Sequence, residues 1–472
     1  MAKPSVTGLT ELQKRFCLIN LGGEIRIADK NQIQNALSNI TQAEVSFYKK
    51  QDGILLMRRY LETLPINTDV KMDIGNFTIN PNTHFYDGVA FSPLKLLPTT
   101  LNYWTGPTIS PIPGNWKELG AFLLDVICSG DEKVFVYLIC YLAHMLQRPE
   151  EKPGVMLVML GGQGTGKGTF FSILKMIWGR TTLQINDVDQ VLGNFNAALE
   201  RNYIVCMDEA LFSGDKKSLE KLKSLITEPQ CRIEQKYQPS RTIDSYHRFF
   251  AASNNDHFAK VDKDDRRFLF LRVADKYQGD LTYFESLHKL IAKGNQVSAM
   301  VHDLLATNIS SFKIRQRPKT DEHLSQKLQS LEGFERYWYE VLQSGELNAG
   351  SVFQPISKWD GSVFIPTQNL INQYKEFNKN ADRYTPTQSG AMSTCIKKIC
   401  PSASSTRISG HGGQVRGIQL PTIEIARREF ESYIGGKLQW DVDSEVIPKT
   451  QELNLDELLI EPINESLFLK RA

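Results

Sequence analysis

A glycine-rich turn between an apolar run and a helical pattern is the feature that most constrains this chain. Residues 161–169 read Gly-Gly-Gln-Gly-Thr-Gly-Lys-Gly-Thr, and residues 155–160 before them are all apolar. Apolar residues at helical spacing follow over residues 170–177. Glycines let backbone N–H groups crowd around a phosphate, and a helix N-terminus adds the positive end of its dipole. The order strand, turn and helix therefore predicts a P-loop that binds a nucleotide.

The residues of this P-loop have individual predicted roles. The cofactor is expected to be ATP, bound by Gly161, Gly162, Gln163, Gly164, Thr165, Gly166, Lys167, Gly168 and Thr169. Lys167 would reach the β- and γ-phosphates, and a Ser or Thr normally follows it to hold Mg²⁺. Gly168 occupies that place here, so either Thr169 holds the metal from a displaced position or an acidic residue and water hold it. Nucleotide kinases also carry Gly-Lys-Gly-Thr, and the P-loop alone leaves motor and kinase open.

A second apolar run predicts the acidic part of the same site. Residues 203–207 are typical of a buried parallel strand and are followed by Asp208 and Glu209. Open α/β sheets bind their ligands at the carboxyl ends of such strands. Asp208 is predicted to hold Mg²⁺ and Glu209 to polarise the attacking water. The alternative is a strand end followed by a solvated acidic pair.

Polar residues follow a third apolar strand and complete the predicted catalytic set. Residues 248–252 are followed by Ser-Asn-Asn at 253–255, where Asn254 could hydrogen-bond a γ-phosphate or orient the water. A turn or helix cap is the alternative, because asparagine favours both. Downstream, Asp265 precedes the pair Arg266 and Arg267. Paired arginines usually lie on a solvated face, but in a ring ATPase one of them reaches the neighbouring subunit's γ-phosphate as an arginine finger.

In this order and spacing, the four motifs resemble those of superfamily 3 helicases, hexameric AAA+ motors of small viruses, phages, plasmids and mobile islands. Residues 232–236 look like the segment before the sensor asparagine in parvovirus Rep motors. The resemblance aligns Lys223 with an additional lysine of those motors and Arg266 with their finger, and Arg267 remains a competitor. Over roughly residues 80–440 the chain is also similar to the C-terminal part of phage primase-helicases and to self-loading replicative helicases of genomic islands. The matching stretches outside the motor are 146–149, 419–421, 427–430 and Trp440.

The resemblance implies a fold and an activity. The fold class is an α/β AAA+ P-loop ATPase core with a mixed α/β N-terminal domain and a C-terminal winged-helix domain. The activity is ATP- and Mg²⁺-dependent unwinding of DNA, with 3′→5′ movement on single-stranded DNA, in replication of a phage, plasmid or mobile element. Forked DNA, a hexameric ring of identical subunits, and a primase or polymerase on another polypeptide are the implied partners. The expected regions are 1–148 (N-terminal domain), 149–312 (motor), 313–348 (helical connector), 349–440 (winged helix) and 441–472 (acidic tail).

Two basic regions are expected to contact DNA. Residues 232–243 indicate a hairpin, which in the resembled motors projects into the pore. Its Lys236, Tyr237 and Arg241 supply cations and a stacking ring, as sequence-independent strand binding requires. A solvated hairpin with ordinary surface charges is the alternative.

The second basic region lies near the C-terminus. Residues 367–378 and 389–399 are predicted helices, and a glycine-bearing hairpin follows over 407–420, which together indicate a winged helix. Lys397 and Lys398 on the second helix and Arg407, His411 and Arg416 on the wing would face DNA. A winged fold used only for protein contacts remains open. Residues 366–440 carry ten Lys/Arg and five Asp/Glu, and residues 441–472 carry three and eight, a pattern compatible with a DNA-binding module and a regulatory tail or with ordinary charge fluctuation.

Composition narrows the setting but does not choose the function. The chain has 472 residues, a net charge of only +2, and seven cysteines without a CxxC pair. Free thiols in a reducing cytosol are expected, and the absence of an 18-residue apolar span predicts a cytoplasmic protein without a membrane segment. A short helix is also expected at 192–196, and a long one over 320–343 with Thr320 as its N-cap. An initiator ATPase that binds a duplex origin, and a monomeric P-loop phosphotransferase, stay open as alternative functions.

Overall fold

The computed structural model describes residues 7–38, 45–209, 216–236, 240–255, 257–259, 265–347, 359, 361–378, 389–410 and 413–440. These residues form two compact units. The first takes its residues from Met1–Asp256 and Arg266–Pro318, and the second from His257–Asp265 and Lys319–Glu461. The chain therefore enters the second unit at His257, returns to the first at Arg266, and enters the second again at Lys319.

The first unit begins with a four-stranded sheet that has helices on both faces. Along β1 the side chains alternate, so that Phe16 and Leu18 pack with α1, α3 and α4, whereas Cys17 and Ile19 pack with α2. The strand order is β3-β2-β1-β4. The elements are α1 (Gly8–Arg15), β1 (Phe16–Leu21), β2 (Glu24–Asp29), α2 (Lys30–Ser38), β3 (Phe47–Tyr48), α3 (Lys50–Glu62), α4 (Val70–Ile79) and β4 (Phe85–Tyr86).

A connecting region leads from this sheet to the P-loop strand. It holds a two-stranded parallel sheet and then a helical layer, in which a π-helix over Phe122–Ile127 directly continues α5. Its members are β5 (Gly88–Ala90), β6 (Thr100–Asn102), α5 (Lys117–Ala121) and α6 (Glu132–Gln147).

A five-stranded parallel sheet forms the centre of the first unit. Its order is β13-β7-β12-β9-β8, and β7, β9 and β12 are buried along their whole length, as expected for parallel strands covered on both faces. The strands are β7 (Met156–Leu160), β8 (Thr182–Ile185), β9 (Ile204–Met207), β12 (Arg248–Ser253) and β13 (Phe268–Arg272). The remaining elements are α7 (Lys167–Trp178), α8 (Asp189–Leu192), α9 (Lys216–Thr227), the antiparallel hairpin of β10 (Gln230–Ile233) and β11 (Arg241–Asp244), α10 (Leu281–Lys293) and α11 (Asn295–Ala306).

The second unit has its own apolar core and a three-stranded sheet of order β14-β16-β15. Along the chain it runs helix, helix, strand, helix, helix, hairpin and helix. Its elements are α12 (Asp321–Gln329), α13 (Gly333–Ser344), β14 (Val363–Pro366), α14 (Thr367–Phe377), α15 (Ser389–Ile399), β15 (Ser404–Gly410), β16 (Gly413–Leu420) and α16 (Ile423–Ile434).

Two helix predictions were wrong. The helix expected over 320–343 begins after its predicted N-cap, Thr320, whose side chain accepts a hydrogen bond from the His323 N–H, but it ends at Gln329. A new helix starts at Gly333, which has a φ of +57°, a conformation that breaks the helical path. Residues 192–196 are not a helix, because α8 ends at Leu192 and a 3₁₀ turn begins only at Ala197.

Candidate nucleotide-binding site

The predicted P-loop is a turn between β7 and α7. Gly164 and Gly166 have φ values of +75° and +104°, in the region that favours glycine. A Cβ on Gly166 would also lie 3.0 Å from the rings of Phe122 and Phe284. Because Gly166 is the N-cap of α7 and has no side chain, the first backbone N–H groups of the helix keep no side-chain cap. This arrangement leaves a set of donors at the positive end of the α7 dipole.

The ammonium group of Lys167 is folded back onto its own loop. Its Nζ donates to the carbonyl oxygens of Gly161 and Gly162 at 2.6 and 2.7 Å, and the residue is 7% exposed. Burial lowers the pKa of Lys167, and the charges of Asp208 and Glu209 act in the opposite direction. Lys167 is thus a desolvated cation beside two carboxylates.

Gly168 and Thr169 lie differently in the first turn of α7. A Cβ built on Gly168 meets nothing within 4 Å, so the position faces open space. Thr169 is buried, and its Oγ1 lies 3.3 Å from Nε2 of His288 on α10. His288 was not among the predicted site residues, since a single histidine in a helix more than a hundred positions away carries no motif.

Asp208 and Glu209 follow β9 at the same edge of the sheet. Oδ2 of Asp208 accepts a hydrogen bond from Nε2 of Gln184 at 3.2 Å, and Oδ1 accepts one from the Glu209 N–H at 3.2 Å. Glu209 has a φ of +54°, which costs a non-glycine residue about 1 kcal/mol or more. Gln184 on β8 was missed because one polar residue in an edge strand has no distinguishing pattern. The described residues contain no group of three or more His, Cys, Asp or Glu that could hold a metal ion.

The asparagine strand, β12, which ends just before Asn254, lies between β7 and β9. β12 pairs in parallel with β7 on one side and with β9 on the other. The Gly161 N–H donates to the Ser253 carbonyl at 3.3 Å, which ties the start of the P-loop to the end of β12. Asn254, the next residue, is exposed. The carboxyl ends of three adjacent strands thus carry Lys167, Asn254 and Asp208.

The paired arginines lie at the opposite end of the strands, where the strands begin. Arg266 and Arg267 directly precede β13, whose first residue Phe268 lies opposite Met156, the first residue of β7. The P-loop follows the other end of β7, at Leu160. Four residue steps separate these ends, or about 13 Å at about 3.3 Å per residue. Arg266 is exposed and Arg267 is half-buried. Neither lies at the carboxyl ends of the strands, where the P-loop of its own chain is found.

The predicted hairpin exists as β10 and β11, with Ile233 opposite Arg241. Lys236 is exposed, and Tyr237 lies outside the described residues. Arg241 donates to the Glu200 carboxylate from Nε at 3.0 Å and from Nη2 at 2.5 Å, so its guanidinium is already paired.

Asn196 holds the outer edge of β10. Its Nδ2 donates to the Arg232 carbonyl at 3.0 Å, and its Oδ1 accepts from the Glu234 N–H at 2.9 Å. Asn196 is 2% exposed. The side-chain amide of Asn196 therefore satisfies two backbone groups that a neighbouring strand would otherwise pair.

The basic residues of the second unit fall into two groups. Arg407 and Arg416 face each other across β15 and β16, and both are exposed. Lys397 on α15 is exposed, whereas Nζ of Lys398 lies 2.8 Å from Oε1 of Glu335. The Glu335 carboxylate and the Tyr433 hydroxyl raise the pKa of Lys398. His411 lies outside the described residues.

Comparison with known proteins gives one match to a family model and one to a curated protein. A family of unknown function, DUF5906, matches residues 159–267, from the end of the P-loop strand to the paired arginines. A DNA primase-polymerase of Nitratiruptor phage NrS-1 is 30% identical over 142 residues, which are 29% of this chain and 20% of that protein. The match spans about a fifth of that relative's length.

Solved structures then define the fold more closely. The apo structure of the NrS-1 C-terminal region (305–718) is 18% identical, with a TM-score of 0.59 over 88% of this chain and 99% of that one. An A-form apo structure of the same region is 17% identical, with a TM-score of 0.60 over 87% and 98%. The chain therefore has the mixed α/β fold, built on a parallel sheet, of that phage region. In the part of the chain that the structure describes, no helix is long and apolar enough to cross a membrane.

Proposed function

We propose that the chain is a ring-forming, ATP-dependent DNA helicase of the superfamily 3 type that moves along single-stranded DNA during replication of a phage, plasmid or mobile element. The position of the paired arginines carries the proposal. Arg266 lies at the amino ends of the strands and the P-loop lies at their carboxyl ends. Arg266 could therefore reach a nucleotide only in the P-loop of a second chain. Head-to-tail contacts of this kind close into rings.

The residues of the site fit ATP and Mg²⁺. The uncapped N-terminus of α7 offers N–H donors to phosphate oxygens, and Lys167 can exchange two loop carbonyls for the β- and γ-phosphates. Asp208 is oriented by Gln184 and supplies a carboxylate oxygen, the ligand type that Mg²⁺ prefers. Bound Mg²⁺ would offset phosphate charge. Glu209 would orient the attacking water, and Asn254 would hydrogen-bond the γ-phosphate. Thr169 is the hydroxyl next in sequence to position 168, where a P-loop usually carries its metal-binding Ser or Thr.

The neighbouring subunit would complete the site. Arg266 is favoured over Arg267 as the finger because it is exposed, whereas Arg267 is half-buried. A guanidinium that reaches the γ-phosphate stabilises the charge of the transition state and contributes about 10³–10⁵ in rate in related chemistry. The hairpin of β10 and β11 would bind the strand through Lys236, with Tyr237 as a further predicted contact.

The second unit supports a DNA-binding role of its own. Its two helices α14 and α15 followed by the hairpin of β15 and β16 fit a winged helix in which the hairpin is the wing. Arg407 and Arg416 are like charges directly opposite each other, a pairing that is unfavourable unless an anion lies between them. This pair also favours the second candidate function, an initiator ATPase that binds duplex DNA without processive unwinding. The phage primase-polymerase among the relatives agrees with a role in replication under either candidate.

Strand displacement on a forked DNA, with ATP and Mg²⁺, tests the proposal. Wild-type protein should unwind the fork, Lys167→Ala should not, and Lys175→Ala, an exposed lysine on the same helix, should behave as wild type. DNA-stimulated hydrolysis without displacement would favour the initiator. Hydrolysis by Arg266→Ala at the wild-type rate would contradict the shared site and return weight to a monomeric phosphotransferase.

A further inference from the structure

The segment that follows β13 lies along one side of the P-loop. At the start of the loop, a Cβ on Gly161 would lie 3.2 Å from the Val273 carbonyl oxygen. At its end, a Cβ on Gly166 would lie 3.0 Å from the Phe284 ring. Residues 273–284 therefore follow the loop from its first residue to the N-cap of α7, and they form one wall of any site that holds phosphates there.

The middle of this segment is also bound to the loop. Nε2 of Gln278 donates to the Gln163 carbonyl oxygen at 2.9 Å. The next residue, Gly279, has a φ of +79°, and its backbone nitrogen would lie 4.0 Å from a Cβ on Gly164. A side chain and the backbone thus both hold this segment against the loop.

Two tyrosines on the same segment form a stacked pair. The ring centroids of Tyr277 and Tyr283 lie 3.9 Å apart, with 9° between the ring planes. Asp280 fixes the turn that joins them, because its N–H donates to the Tyr277 carbonyl at 3.0 Å and its Oδ1 accepts from the Tyr283 N–H at 2.9 Å. Both tyrosines are half-buried. A well-held aromatic surface that is partly open to solvent therefore lies beside the P-loop.

A charged pair borders this aromatic surface. Nζ of Lys276 lies 5.2 Å from the Tyr277 ring centroid and 3.2 Å from Oδ2 of Asp125. Asp125 belongs to the π-helix whose first residue, Phe122, contacts the Gly166 position of the loop. Aromatic rings with a few polar groups at their margin are the composition typical of a small-molecule site.

We infer that Tyr277 and Tyr283 are the nucleobase platform of this site, on which the base of the bound nucleotide stacks while its phosphates lie on the P-loop. Every base has a flat π-face, so an aromatic ring can bind it without a hydrogen bond. The position fits a nucleotide, because Gln278 contacts the loop and Tyr277 precedes it by one Cα step of about 3.8 Å. The inference rests on the proposed function in one respect, since it requires a nucleotide on the P-loop, but it requires no movement on DNA.

Paired calorimetric titrations with ADP and with inorganic pyrophosphate, each with Mg²⁺ and the full chain, test the inference. Both ligands offer two phosphates to the loop, and only ADP carries a base. Tyr277→Leu and Tyr283→Leu keep an apolar side chain and remove a ring, so each should weaken ADP binding about 10-fold and leave pyrophosphate binding unchanged. The matched control is Leu281→Ala, a change at a residue of the same segment that is 76% exposed, and it should bind both ligands as the wild type does.

The kinetics of ATP hydrolysis give a second readout. The base is remote from the γ-phosphate, so its stacking is equally strong in the ground state and in the transition state. Tyr277→Leu should therefore raise KM about 10-fold and leave kcat unchanged. Tyr277→Phe keeps the ring and should restore both the KM and the affinity for ADP.

The outcomes separate this inference from the proposed function. Wild-type ADP affinity in both leucine variants overturns the inference, and so does an equal loss of ADP and pyrophosphate binding, which would assign the rings to support of the loop. A selective loss of ADP binding supports the inference even if the wild-type protein fails to displace a strand. Binding of ADP by Lys167→Ala at the wild-type affinity would refute nucleotide binding by the P-loop, and the inference falls with it.

Discussion

Replacing Asn196 with alanine should loosen the proposed DNA-binding hairpin and leave the proposed nucleotide site intact. The side chain makes two hydrogen bonds to the backbone of β10 and its extension, at 3.0 and 2.9 Å. Each such bond contributes about 1 kcal/mol net, so their loss should cost about 2 kcal/mol of docking free energy. A change of this size corresponds to about a 30-fold shift in the equilibrium between docked and undocked hairpin.

Hydrogen–deuterium exchange measures this shift directly. The Glu234 N–H loses its acceptor in Asn196→Ala, so its exchange rate should rise by about 30-fold. Amides of β7, in the centre of the sheet, should not change. Stimulation of ATP hydrolysis by single-stranded DNA should fall, while hydrolysis without DNA is kept, because Lys167 and Asp208 lie on other elements.

Asn194→Ala serves as the matched control, because Asn194 is exposed and only two residues away. An unchanged exchange rate at Glu234 would refute the view that the Asn196 side chain holds the strand edge. Loosened exchange with full DNA stimulation would refute the assignment of the hairpin to DNA binding.

Three further predictions address separate features. Gly168→Ser should strengthen Mg²⁺-dependent ATP binding, measured by titration with the metal, because a side chain there meets open space beside the phosphates; unchanged Mg²⁺ dependence would contradict this view. Burial holds the pKa of His247 at about 4, below its ordinary 6.5, so the contribution of His247 to the free energy of unfolding should be constant above pH 6.5 and fall as the pH decreases from 6.5 toward 4. His247→Gln should reduce the slope in that pH window in denaturant titrations, and an unaltered slope would assign it to other groups. Lys397→Ala should weaken DNA binding and its salt dependence, whereas Lys398→Ala should mainly destabilise the second unit, because Lys398 pairs with Glu335; equal effects of both variants in a filter-binding and melting comparison would contradict the distinction.

Local patterns predicted the elements that build the candidate nucleotide site. Continuous apolar runs gave β7, β9 and β12, because a strand covered on both faces has no polar side to show. The glycines at 164 and 166 marked the turn, since their positive φ angles exclude most other residues. The adjacency of Gly161, Asn254 and Asp208 follows from parallel pairing, in which all carboxyl ends share one edge.

Pairings between distant residues could not be predicted in the same way. Arg241 was expected to be available to DNA, yet its partner Glu200 lies 41 positions away and belongs to no shared motif. Lys398 likewise pairs with Glu335, 63 positions away. Such contacts depend on the packing of whole elements, which a single sequence does not specify.

The shared membership of residues 257–265 also limits how this chain could be rearranged during evolution. A recombination event that exchanged everything after Pro318 would supply a new second unit but keep the old Phe258 and Ala259, which are completely buried and belong to the second unit. Successful exchange would need a second crossover that also carries residues 257–265, which lie in sequence between two stretches of the first unit. A cut at Pro318 would therefore leave residues 257–265 of the second unit on the wrong side of the cut.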